Sequence, residues 1–303
     1  MTLGYDQNLY ILAFDHRGSF KKMFGAGGEG PTELQETLET AKQIVWEGVK
    51  RALSDGAPAD SVGALVDEEM GAQPAREAKE MGVKLAMPVE ASGQPVFDFE
   101  YGDDFGEHIE AFDPDFSKVL VRWNPADSDE DKAVQGERLK RLGDWLHERR
   151  RKYLFELLVP ASAAQLALVG GDGYAYDTEL RPHLTLQAIS EILEAGVEPD
   201  IWKIEGFDRT LSCELLADLI RRDGRDQVAA VVLGRGADDA RVDHWLRCGA
   251  PVSGYSGFAI GRSIWSPSIS AWSEGDLARD KAAAAIAASY RRFIDVYREH
   301  SSR

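Results

Sequence analysis

Lys203 lies inside "DIWKIEGFD" (200–208), flanked by Ile201, Trp202 and Ile204. An amine in such a run suits nucleophilic attack on a carbonyl. Attack needs the neutral amine, and apolar surroundings favour that form. A second apolar run, "YLFELLV" (153–159), carries Glu156 between Phe155 and Leu157, a carboxylate placed to move protons. Further polar groups follow other apolar runs: Asp15, His16 and Arg17 in "FDHRGS", Asp67 in "VDEEMG", Arg122 and Asn124 in "VRWNP", and Glu205. Two endings pair glycine with arginine: Gly234 and Arg235 in "LGRG", Gly261 and Arg262 in "IGRS". Glycine lets backbone N–H groups approach an anion, and arginine adds a permanently charged fork, so these endings suit a phosphate. Each residue alone also has a plainer reading, as a turn, a cap or a side chain lying along a wall. The signal is the set.

The apolar runs define the elements that must position these groups. Eight read as strands: 9–14, 61–66, 83–88, 118–123, 153–159, 200–205, 227–233 and 255–260. Helical patterns lie between them. They include 32–53, 129–151 with acids first and bases last, 176–196 and 238–249 with terminal glycines, and a final helix within 276–300. Alternation of strand and helix predicts parallel pairing, and eight units over this length predict an α/β protein, a (β/α)8 TIM barrel, as a single domain over residues 1–303. In that fold the ends of strands carry the chemistry. The glycine-rich stretch 25–31 is expected to be a mobile loop after the first strand. No Gly-x-Gly-x-x-Gly or Walker pattern supports a nucleotide fold.

Composition narrows the partners. The chain has 303 residues, 44% hydrophobic and 29% charged, with a formal net charge of −17, which disfavours nucleic acid and anionic membrane surfaces. A site for an anionic substrate must therefore gather its basic residues locally. Cys213 and Cys248 have no paired spacing and read as reduced, buried thiols of a cytoplasmic protein. The six histidines show no metal-ligand pattern, so no metal is expected. The N-terminus lacks the features of a signal peptide, and no run is long and apolar enough to span a membrane. A homo-oligomer remains open.

"LYILAFDHRGSF", "YLFELLVP", "EPDIWKIEG", "VVLGRGADDARVDHWL" and "GFAIGRSIW" together resemble the 2-deoxy-5-keto-gluconate 6-phosphate aldolase domain of inositol catabolism, over roughly residues 9–298. A weaker likeness extends to tagatose-bisphosphate aldolases and to archaeal-type class I fructose-bisphosphate aldolases. The resemblance implies a barrel aldolase with no cofactor beyond a covalent imine on Lys203. It implies Glu156 as acid/base, Asp15 as a substrate contact, and Gly234, Arg235, Gly261 and Arg262 at the phosphate. Lys118 corresponds to a strand-4 lysine, though it stands early in the strand read here. Arg122 departs from the tagatose pattern, where an aromatic residue is usual. The implied substrate is a phosphorylated small molecule with a carboxylate at its other end, met by Arg17 or Arg122; Asp67 and Glu205 are further candidate substrate contacts. Whether Asp15 or Glu156 takes the hydroxyl proton is open at this level. The alternatives are an aldolase for another ketose phosphate and a non-catalytic phosphosugar-binding barrel.

Overall fold

The computed structural model describes residues 3–25 and 31–301. Residues 26–30, most of the glycine-rich loop expected to be mobile, lie outside the described residues. Eight parallel strands close into a barrel in sequence order: β1 (Leu9–Ala13), β2 (Val62–Leu65), β3 (Lys84–Pro88), β4 (Phe116–Arg122), β5 (Lys152–Leu158), β6 (Ile201–Glu205), β7 (Ala229–Leu233) and β8 (Tyr255–Ile260). All eight expected strands are present, with ends shifted by at most two residues. Among the described residues no helix is long and apolar enough to cross a membrane.

The helices that follow the strands are α1 (Gly18–Phe24) and α2 (Pro31–Ser54) after β1, then α3 (Glu68–Glu80), α4 (Phe105–Phe112) and α5 (Asp129–Glu148). After β5 come α6 (Ala163–Leu168), the single turn α7 (Gly173–Ala175), a π-helical turn over Tyr176–Leu180 and α8 (Arg181–Glu194). The last four are α9 (Thr210–Ile220), α10 (Asp239–Gly249), α11 (Arg262–Ser273) and α12 (Arg279–His300). Two expected stops differ. The basic end of the 129–151 pattern falls outside α5, which ends at Glu148; Arg150 has turned to φ +60°. Gly249 does not break α10, because Ala250 still has helical dihedrals. A Cβ at Gly249 would come within 3.1 Å of Tyr255 and 3.2 Å of Val232, so close packing accounts for this glycine.

Side chains alternate across each strand, and the two faces separate cleanly. Tyr10, Leu12, Val119, Phe155 and Trp202 face outward into the layer shared with the helices. Leu9, Ile11, Ala13, Leu65, Ala86, Phe116, Leu154, Ile201, Val231 and Ala259 fill the inside, with Tyr5 packed beneath them. Two residues further along the same inward rows stand Asp15, Lys118, Glu156, Lys203 and Gly261, all lining one cavity. The barrel interior is thus apolar in its N-terminal half and ionic in its C-terminal half. The lower end is held by Asp200, fully buried just before β6. It accepts hydrogen bonds from Gly4 N (2.8 Å), Tyr153 N (2.9 Å) and Lys152 Nζ (2.8 Å).

Candidate active site

The cavity at the C-terminal mouth measures about 950 Å³. Its lining includes seven Lys or Arg side chains against five carboxylates, in a chain whose net charge is −17. At its floor is a connected group of charges. Glu156 and Lys203 are cross-strand partners on β5 and β6, and Lys203 Nζ donates to Glu156 Oε2 at 2.9 Å. Lys118 Nζ stands 3.0 Å from the same oxygen, 2.8 Å from Asp15 Oδ2 and 2.8 Å from Glu90 Oε1. The exposures of these five side chains run from 1% to 8%, so they interact in a medium that screens little.

That setting sorts their protonation. Burial opposes the charge on Lys118, but Asp15, Glu156 and Glu90 outweigh it and hold its ammonium well above the ordinary lysine range. Burial likewise opposes ionisation of Asp15, yet Lys118, Lys203 and His16 keep it well below the carboxylate range. Glu156 is also lowered, by Lys118 and Lys203 against burial. Glu90 goes the other way: burial dominates and raises it. His16, whose ring meets Trp265 edge-on at 5.4 Å, is pushed down to about 4 by burial and by nearby Lys42, Arg262 and Lys203, so it is neutral at pH 7.

The rim carries the remaining expected residues. Arg17 lines the cavity, but its guanidinium is engaged by Glu90 Oε1 (3.2 Å), Glu90 O (2.7 Å) and Glu100 Oε2 (2.8 Å). It is therefore not free to meet a substrate carboxylate. Arg235, in the left-handed region at φ +54°, pairs with Asp177 (2.8 Å) and Glu205 (2.9 Å). Glu205 also accepts from Val159 N at 3.1 Å, and burial raises its carboxyl. Among the described residues Arg122 donates only to a backbone oxygen, Gln94 O at 3.0 Å, and Arg262 only to Arg235 O at 3.0 Å. Together with exposed Lys22, these are the cavity cations without a carboxylate partner among the described residues. Gly236 and Gly261 face the cavity; Gly234 does not. Gly261 is also the N-cap of α11 with no side-chain cap, and a Cβ there would lie 2.4 Å from Ala13 O.

One expected contact is corrected. Asp67 is fully buried outside the cavity, where it caps α3 through Met70 N (2.9 Å) and pairs with fully buried Lys42 (2.6 Å). Lys42 also donates to His16 O (2.9 Å) and Phe14 O, fixing the backbone on either side of Asp15. Asp67 therefore positions the end of β1 and is not part of the cavity lining. Lys42→Met would leave Asp67 buried and uncompensated, at a cost of roughly 3–5 kcal/mol in unfolding free energy. Urea titration reads this directly, and a loss under about 1 kcal/mol would contradict the role.

The sequence reading passed over Glu90, Asp177, Lys42 and, as a site residue, His16. Glu90 follows β3, the one strand end assigned no polar residue, although a carboxylate two positions past Pro88 was there to be seen. Asp177 lies in the π-helical turn and bridges Arg235 to buried Arg181 (3.0 Å).

The closed ring of eight parallel strands, each followed by helix, with charged side chains gathered at the C-terminal mouth, defines a TIM barrel. The chain belongs to the DUF2090 family, described as an uncharacterized protein conserved in bacteria, which it matches over residues 4–301. No curated protein matches it. Among solved structures it is similar to fructose-bisphosphate aldolase from Plasmodium falciparum, solved with TRAP and a small-molecule inhibitor. The TM-score is 0.62 at 14% identity, covering 98% of this chain and 92% of that one. It is also similar to Cgl0159 from Corynebacterium glutamicum, with a TM-score of 0.58 at 17% identity, covering 97% and 88%. At these identities the likeness concerns the fold.

Proposed function

We propose that the protein is a class I aldolase acting on a phosphorylated keto-sugar acid, with 2-deoxy-5-keto-gluconate 6-phosphate as the substrate that fits best. The observation carrying this reading is the Lys203–Glu156 contact at 2.9 Å, buried on adjacent strands at the floor of the cavity. Transfer of a proton from Lys203 to Glu156 leaves an amine able to attack the substrate carbonyl. The carbinolamine loses water, with Glu156 returning the proton, and the resulting iminium is the electron sink. A carboxylate takes the proton of the hydroxyl on the far carbon of the scissile bond; that carbon becomes the aldehyde, and the bonding pair flows into the iminium. Malonate semialdehyde leaves. Protonation of the enamine and hydrolysis of the imine then release dihydroxyacetone phosphate. Lys118 remains protonated throughout and holds Asp15 and Glu156 in place.

Uncompensated cations support the two-anion substrate. Arg262, beside Gly236, Gly261 and the start of α11, suits the phosphate; Arg122, across the mouth on β4, suits the carboxylate. Arg122→Leu is expected to lower kcat/KM for a keto-acid phosphate by roughly 10–150-fold, the range for a hydrogen bond to a charged group. It should barely change a neutral-ended ketose phosphate, whereas Arg262→Ala should impair both. Equal losses on both substrates in Arg122→Leu would remove the carboxylate from the account. The reading as a whole is tested by assaying a panel of phosphorylated keto acids and ketoses with triose phosphate detection. Release of dihydroxyacetone phosphate, best from the keto acid, supports it. Tight binding across the panel without release would mark a non-catalytic phosphosugar-binding barrel.

A further inference from the structure

We infer that Glu90 is a further substrate-binding residue, whose free carboxyl oxygen hydrogen-bonds a hydroxyl on the carbon next to the reacting carbonyl. The two oxygens of this carboxyl differ sharply. Oε1 takes Lys118 Nζ at 2.8 Å and Arg17 Nη2 at 3.2 Å. Oε2 is buried and has no hydrogen-bond partner among the described residues, although the residue is only 6% exposed and lines the cavity. A buried carboxyl oxygen without a partner carries a desolvation cost that a ligand hydroxyl would relieve.

The backbone holds Glu90 as firmly as the charges do. Val89 N bonds Lys118 O at 2.8 Å, Ala91 N bonds Asp98 O at 2.8 Å, and Glu100 N bonds Val89 O at 3.0 Å. Glu90 thus sits in a short antiparallel bridge to Phe99, just beyond the end of β3. Arg17 clamps both its carboxyl and its carbonyl while binding Glu100 from the other side. A carboxyl so fixed has one unpartnered oxygen, buried at the cavity wall beside the ammonium that also holds Asp15 and Glu156. A carboxyl there repels a phosphate or carboxylate, so the chemistry it recognises is a neutral hydroxyl. With the two anions assigned to Arg262 and Arg122, Glu90 reads the middle of the molecule.

This inference rests on the aldolase reading for its choice of probes, dihydroxyacetone phosphate and hydroxyacetone phosphate, which differ by that one hydroxyl. Their dissociation constants are measured by phosphorus NMR titration in a Lys203→Met background, so that no imine contributes. The parent is expected to prefer dihydroxyacetone phosphate by about tenfold or more. Glu90→Leu should erase the preference while leaving hydroxyacetone phosphate within about threefold, and Glu90→Gln, which keeps a polar atom, should retain part of it. If the leucine variant does not fold, the ratio in the glutamine variant decides. Equal binding of the two probes by the parent, equal weakening of both in Glu90→Leu, or an intact preference in the variants would each overturn the inference. None of these outcomes bears on imine formation, which is tested separately.

Discussion

Lys203→Met is expected to fold, to bind phosphate, and to lose at least roughly 10⁴ in kcat, the scale of deleting a nucleophile that no neighbour replaces. Methionine fits the site in volume, and Ile201, Trp202 and Ile204 beside it are buried at 2% exposure or less. Glu156 keeps one of its two lysine contacts, from Lys118 at 3.0 Å, so the charge left behind is still compensated. The loss should therefore lie in the chemical step, with the affinity for inorganic phosphate unchanged. Steady-state kinetics on the substrate found by the panel, together with a phosphate titration, separates the two. A variant that retains more than about one per cent of activity would place the reaction elsewhere in the cavity.

Glu156→Gln is expected to lower kcat by roughly 10²–10⁴, the range for a lost general acid/base. The amide still fills the space between Lys118 and Lys203, but it can neither take a proton from Lys203 nor give one to the departing water. Single-turnover measurements should find imine formation slowed along with turnover. In the wild type Lys118 and Lys203 hold the Glu156 carboxyl below its ordinary range against burial, so kcat/KM should show no loss from protonation of this carboxylate as pH falls from 7 to 5. A loss below tenfold in the glutamine variant would move the proton transfer to Asp15 or Glu205.

Much of this site was legible because the barrel imposes one rule. Within each strand the side-chain period is two, so Leu154–Glu156 and Ile201–Lys203 each read as an apolar residue followed by a charged one on the same inward row; Phe116–Lys118 makes the same step in the structure, where β4 begins two residues before the strand expected at 118. Three neighbouring strands repeating that step put the charges into a common layer, and strand order followed sequence order. What the sequence could not carry was the pairing among those charges. Arg17 read as a free guanidinium until Glu100, 83 residues away, was found bonded to it. Asp67 read as a rim carboxylate until its partner proved to be Lys42, on the helix after β1. Arg235 read as a phosphate ligand, while Asp177 and Glu205 already compensate it. A strand period says which way a side chain points; long-range pairing decides whether its charge is available. Glu90 was missed for a related reason, since it lies past the last residue of β3, where the alternating pattern had already ended.

The most direct test of the central claim is reductive trapping. The purified protein is incubated with dihydroxyacetone phosphate and sodium borohydride, digested, and its peptides are weighed. A reduced imine would add the mass of the ketone phosphate, less one oxygen, to the peptide containing Lys203 alone, with activity falling in step and the adduct absent from Lys203→Met. An adduct on Lys118 or another lysine, or no adduct under conditions where triose phosphate is released, would contradict the account.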